Sequence, residues 1–98
     1  MGYEIKFTIS AAQDLQSIKK FIYEDNEIAA KKVVAHIINQ IETILPQMPS
    51  AGRAGRVLRT RELVISKYPY IVPYQVKGND IFILRVLHTS KKWEIEGK

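Results

Sequence analysis

The spacing of apolar residues changes along the chain, and each change marks an element. Tyr3, Ile5, Phe7 and Ile9 alternate with Glu4, Lys6 and Thr8, the two-residue period of a strand with one buried face. Ser10 follows as a candidate N-cap. From Ala11 the period becomes helical: Leu15, Ile18, Phe21 and Ile22 form one stripe, with Gln13, Asp14, Gln16, Lys19 and Lys20 off it. Glu24-Asp25-Asn26 interrupts the pattern. Asp25 or Asn26 then caps a second helix carrying Ile28, Val33, Val34, Ile37, Ile38, Ile41, Ile44 and Leu45, which ends before Pro46. Two such helices with a short connection predict an αα-hairpin.

Pro46, Pro49, Ser50, Gly52 and Gly55 make the next stretch a loop. Leu63, Val64 and Ile65 form the centre of a strand after it. Residues 68–76, YPYIVPYQV, form the next, and Pro69 and Pro73 have no N–H for a ladder, so they belong at bulges or non-pairing positions. Lys77-Gly78-Asn79-Asp80 is a hairpin turn. Residues 81–87 are apolar except for Arg85 and read as a central strand buried on both faces. An arginine there must find partners or a wet edge; Glu62 is one carboxylate able to satisfy it. His88 stands where the strand should end, and Trp93 either packs on the sheet or marks a binding rim.

The resulting order is β-α-α-β-β-β. The last three strands make an antiparallel meander, the first joins the same sheet to cover its apolar face, and the helical hairpin packs across one side. This predicts a two-layer α+β domain over residues 1–98, with a mainly antiparallel twisted sheet.

Composition narrows the class. A chain of 98 residues is large enough for one core without staples. Hydrophobic content of 46% and charged content of 26% fit a soluble globular protein rather than a disordered one. The lack of cysteine excludes disulfide and thiolate chemistry. No apolar run approaches the roughly 18 residues that span a membrane. The opening MGYEIKF alternates like a strand and lacks the apolar core of a signal peptide, so no membrane association and a cytoplasmic location are expected. The net charge of +5 favours an acidic or polyanionic partner.

That charge is concentrated. Arg53, Arg56, Arg59, Arg61 and Lys67 lie in one stretch with a single anion, Glu62. Such a cluster is either a solvated face or a surface for phosphate or carboxylate groups. It is not a P-loop, because no GxxxxGK[ST] occurs. His36 flanks the stripe of the second helix and reads as a structural or surface histidine rather than a ligand. Tyr68, Tyr70 and Tyr74 share one face of their strand and serve either packing or stacking.

The element order, the size and the run RELV-x₃-YPYIVPYQV-x₄-IFILRVLHTSKKW together resemble the RelE/ParE superfamily, the toxins of type II toxin–antitoxin modules. The resemblance covers nearly the whole chain and is strongest over residues 61–93. It implies a small growth-inhibiting toxin neutralised by a cognate antitoxin, with no cofactor or metal.

The superfamily contains two classes. RelE-type members are ribosome-dependent endoribonucleases that cut mRNA by attack of a ribose 2′-OH on the adjacent phosphate. This needs an acid, a base and cations for the charged phosphorane. By resemblance the residues available are Arg85, His88, Arg61 and Tyr74, but an arginine typical of those members near the start of the 70–76 strand is missing, with Tyr70 and Ile71 in its place. ParE-type members poison DNA gyrase and often combine an R-[VI]-[LI]-H strand ending with a longer helical hairpin. Arg85-Val86-Leu87-His88 and the predicted hairpin match both features. The resemblance therefore favours a gyrase poison over a nuclease acting on ribosome and mRNA. The expected target-binding residues are Arg53, Arg56, Arg59, Arg61, Arg85, His88, Lys91, Lys92 and Trp93. A non-toxic basic module that binds an acidic protein is the remaining alternative.

Overall fold

A computed structural model describes residues 2–90, with the order β1 (Glu4–Phe7), α1 (Ile9–Tyr23), α2 (Glu27–Ile44), β2 (Arg53–Ala54), β3 (Arg61–Val64), β4 (Tyr70–Lys77), β5 (Asp80–Ile83) and β6 (Leu87–His88). The α+β architecture is the one expected, with one small strand added and the last long strand divided. The sheet runs β1-β5-β4-β3-β2, with β6 also paired to β4. Every pairing is antiparallel except β1 with β5, where Glu4 faces Asp80 and Phe7 faces Ile83.

The helical hairpin covers one face of the sheet. Val33, Ile37 and Ile41 of α2, with Leu45 after it, recur at helical spacing and are buried together with Leu63, Ile65, Tyr70, Val72, Tyr74, Ile81 and Ile83. Leu15, Ile18 and Ile22 of α1 pack against this cluster, but Phe21, on the same predicted stripe, is 74% exposed. Ile28 is likewise exposed. Asn26 caps α2, its side chain accepting from the Ala29 N–H at 3.0 Å.

The cap of α1 is Thr8, not Ser10. Its hydroxyl accepts from the Ala11 N–H at 3.1 Å and donates toward the carbonyls of Ile83 at 2.8 Å and Leu84 at 3.1 Å. Its N–H also reaches the Ile83 carbonyl. Ser10 can cap locally, but only Thr8 sits where one hydroxyl satisfies both the helix start and the end of β5. Tertiary context decides the choice.

Residues 81–87 do not form one continuous strand. Tyr74 faces Ile83 and Ile71 faces Leu87, so three residues, Leu84, Arg85 and Val86, stand opposite two, Val72 and Pro73. This is a β-bulge. Pro73 has no N–H to give the neighbouring strand, while its carbonyl draws two donors, Leu84 N–H at 2.9 Å and Arg85 N–H at 3.5 Å. The expectation of a proline at a bulge holds for Pro73. The expectation of a strand buried on both faces does not: Ile81 and Ile83 are buried, whereas Phe82 is only partly covered. The strand at the centre of the sheet is β4, buried from Tyr70 to Tyr74.

Candidate functional site

The bulge at residues 84–86 turns Arg85 toward α1. Its Nε donates to Asp14 Oδ2 at 2.7 Å and its Nη2 to Asp14 Oδ1 at 3.0 Å, a bidentate pair. Asp14 Oδ2 also accepts the Val86 N–H at 2.9 Å. One carboxylate thus neutralises the arginine and takes up a backbone donor that the broken ladder leaves over. Glu62 is not the partner of Arg85. Asp14 is the lone acid between Thr8 and Tyr23, and that isolation was the only signal for it in the sequence.

Beside this pair lies a groove of about 580 Å³, lined by Ile18 and Phe21 of α1 and by Tyr70, Arg85, Leu87 and His88 among others. His88 faces Tyr70 across β4 and β6, the rings edge to face with centroids 5.4 Å apart. The Ser90 N–H donates to His88 Nδ1 at 3.1 Å, with Ser90 Oγ at 2.8 Å from the same nitrogen. A backbone N–H can only donate, so Nδ1 is the acceptor and a neutral His88 carries its proton on Nε2. Burial pushes the Tyr70 phenol above the ordinary tyrosine value of 10.0 and keeps it protonated.

The other sequence-predicted residues gather elsewhere. Tyr74 is fully buried. Its hydroxyl donates to the Pro49 carbonyl at 2.7 Å and accepts the Gly52 N–H at 2.8 Å. Burial raises its pKa, partly offset by the Gly52 N–H and the nearby Arg61 charge. A side chain so enclosed has no face for stacking on a base. Arg61 faces Tyr74 in the ladder and donates to the Gly52 carbonyl at 2.9 Å and, more weakly, the Ser50 carbonyl at 3.5 Å. Both residues therefore hold the 49–52 loop against the sheet. A Cβ at Gly52 would lie 2.7 Å from the Tyr74 ring, so only glycine allows this approach.

Arg53 and Arg56 converge on Glu62, which is buried to 1% exposure. The distances are 3.4 Å from Arg53 Nη2 to Oε1 and 3.4 Å from Arg56 Nε to Oε2, and the Arg56 N–H adds a hydrogen bond at 3.1 Å. Both guanidinium groups are about half exposed. Arg59 is different: it adopts a positive φ of 67° at an exposed turn. Lys91, Lys92 and Trp93 lie outside the described residues. His36 accepts its structural reading, with Nε2 at 2.9 Å from the Ser66 carbonyl and its ring edge-on to Tyr68. Among the described residues no group of three or more His, Asp or Glu side chains could hold a metal ion, and no helix is long and apolar enough to cross a membrane.

Residues 5–93 match the family model described as ParE toxin of type II toxin-antitoxin system, parDE. The chain belongs to the ParE toxin family. It is 39% identical over 89 residues to the protein named "Putative toxin Y4kP" of Sinorhizobium fredii, covering 91% of each chain. Among solved structures it resembles a chain of the chromosomal ParDE system of P. aeruginosa, with a TM-score of 0.82 and 32% identity over 88% of this chain and 95% of that one. A chain of the RelBE2 toxin–antitoxin complex of Mycobacterium tuberculosis shares the fold, with a TM-score of 0.67 at 20% identity over 90% of this chain and 99% of that one. The matched residues 5–93 of this ParE toxin include the α1–α2 hairpin, the β4-centred sheet, the Asp14–Arg85 pair and the arginine loop.

Proposed function

We propose that this ParE toxin arrests growth by poisoning DNA gyrase in the cytoplasm and is neutralised by a cognate antitoxin. The observation that carries the choice of target is the dispersal of the nuclease candidates. Arg85 and His88 line the groove beside α1, whereas Arg61 and Tyr74 belong to the far side of β4, next to β3. Three of the four are also engaged: Tyr74 in two hydrogen bonds, Arg61 on loop carbonyls, Arg85 on Asp14. A phosphate entering the groove would meet Arg85 only beside the Asp14 carboxylate, which repels it. Losing one charge-stabilising donor at such a transition state costs on the order of 2.7–4 kcal/mol, and here more than one is committed elsewhere. The names of the structural relatives, both toxin–antitoxin systems, support the antitoxin as partner.

The test is a pair of assays on one preparation. Gyrase supercoiling, with detection of trapped cleaved DNA, runs beside in vitro translation with primer extension on ribosome-bound mRNA. Inhibited supercoiling with intact mRNA is expected. Codon-positioned mRNA cuts that disappear in Arg85→Ala or His88→Ala, with gyrase untouched, would establish the ribonuclease reading instead.

A further inference from the structure

The 55–60 loop joins β2 to β3 and presents an uncommon combination. Leu58, at its tip, is 84% exposed, the most exposed of the large hydrophobic side chains among the described residues. Arg59 beside it holds a left-handed backbone conformation that disfavours any residue but glycine or asparagine. Nothing in the loop is slack. The Gly55 N–H donates to the Thr60 carbonyl at 2.9 Å, and the Thr60 N–H and hydroxyl both donate to the Val57 carbonyl, at 3.1 and 2.6 Å. Thr60 is buried, and a Cβ at Gly55 would run into its hydroxyl and carbonyl. Glu62 holds the base of the loop through the Arg56 N–H and the Arg53 and Arg56 guanidinium groups. The loop is therefore closed by its own hydrogen bonds and strained at one residue, and that closed conformation holds an apolar side chain in water.

We propose that this loop is a preformed docking tip that seats Leu58 in an apolar pocket of the toxin's target protein, with a carboxylate on the pocket rim for Arg59. Exposed apolar anchors on pre-organised segments bind with little ordering cost. The charge pattern selects a protein over a nucleic acid. Glu62 already pairs with Arg53 and Arg56, and Arg61 is turned onto the Ser50 and Gly52 carbonyls. Arg59 is the loop cation whose side chain makes no ion pair among the described residues. One cation beside one apolar anchor fits a carboxylate-rimmed pocket, whereas duplex binding relies on several phosphate contacts. The proposal rests on reading the chain as a toxin with a protein target.

The experiment compares Leu58→Asp, Leu58→Met and Arg59→Glu with the unaltered chain. It measures growth arrest on graded induction, affinity for the purified antitoxin, urea midpoint and binding to duplex DNA across a salt series. The expected result is a loss of arresting potency of about tenfold or more for Leu58→Asp, the scale of a lost anchor. Arg59→Glu should lose potency in the same direction, and Leu58→Met should stay near the unaltered chain. Antitoxin affinity and urea midpoint should hold throughout. Full arrest by a folded Leu58→Asp chain overturns the proposal. So does a parallel loss of antitoxin affinity, which would make the tip an antitoxin contact. Loss of a steeply salt-dependent DNA affinity together with arrest would make the occupant a nucleic acid and equally overturn it. If the unaltered chain arrests growth but leaves purified gyrase active, gyrase fails as target while the arrest data still test the tip.

Discussion

Arg85 and Asp14 lie 71 positions apart in the chain and meet in a two-bond ion pair of 2.7 and 3.0 Å. The pair exists because Pro73 breaks the β4–β5 ladder. The bulge opposite the proline leaves the Val86 N–H without a strand partner and swings Arg85 out toward the helix. Asp14 answers both needs at once. The arginine of the RVLH stretch is thus a tie between sheet and helix as well as part of the groove wall.

Asp14→Ala should destabilise the fold by about 1–3 kcal/mol. That range covers hydrogen bonds to a charged group, discounted for partial solvent access. It leaves Arg85 without its carboxylate and the Val86 N–H without an acceptor. Arg85→Ala should cost less, because Asp14 keeps Val86. The double variant should fall short of the sum of the two, as expected for residues in direct contact. Urea unfolding of the three variants checks this; strict additivity would show that the pair is not coupled.

Tyr74→Phe should cost about 1–3 kcal/mol, because it strands the Gly52 N–H and the Pro49 carbonyl beneath the sheet. It should reduce growth arrest only as far as it reduces the amount of folded toxin. A thermal or urea midpoint measured beside a dose–arrest curve decides. Arrest abolished at undiminished stability would give Tyr74 a direct role instead.

The two buried phenols also make stability depend on alkaline pH. Burial raises the pKa of Tyr70 and Tyr74 above 10.0 in the folded chain. Below 10.0 both states carry the phenolic protons and this contribution is fully present. Above it the unfolded chain loses protons first, so it binds fewer than the folded chain and unfolding free energy falls as pH rises through the folded values. The urea midpoint should therefore drop from neutral pH to above 10.0. Tyr70→Phe should lessen the drop without abolishing it, since its own ionisation is gone while that of Tyr74 still favours the unfolded chain.

Much of the architecture was legible from periodicity alone, and what was not has a physical cause. Alternation in residues 3–9 and the stripe at Val33, Ile37 and Ile41 specify a strand and a helix face whatever surrounds them. The Asn26 cap is equally local. Thr8 outcompetes Ser10 only because β5 ends beside it, which no local rule contains. The division of residues 81–87 follows from Pro73 across the ladder, so it required the register of two strands. Phe21 sits at the right helical spacing for burial and is exposed because the groove opens beneath it. At the site, the arginine cluster was visible as charge, but its meaning lay in Glu62, which the sequence offered as a partner for Arg85 and which is instead buried beneath Arg53 and Arg56. Leu58 was hidden because Val57-Leu58 is only a two-residue apolar step in an otherwise polar loop. Its only signal was an apolar pair between Arg56 and Arg59.

The arginines of the 53–61 stretch should separate into two kinds when each is replaced by alanine. Arg53 and Arg56 face a carboxylate 1% exposed, so removing either leaves a buried charge less well matched. Breaking a buried pair outright costs about 3–5 kcal/mol. Here each arginine is half in water and Glu62 keeps the second guanidinium and the Arg56 N–H, so each single change should cost about 1–2 kcal/mol. The double change should exceed either alone. Among the described residues Arg59 has no such partner, so Arg59→Ala should stay within about 0.5 kcal/mol, as for a surface substitution. Glu62→Gln tests the same centre from the other side, because it keeps the shape and loses the charge that both arginines need. Urea unfolding of the set, read against growth arrest, then distinguishes two uses of the same residue type. If Arg53→Ala and Arg56→Ala keep the midpoint and lose arrest, their guanidinium groups act on the target. If they lose the midpoint and Arg59→Ala alone loses arrest at full stability, the first two build the loop and the third uses it.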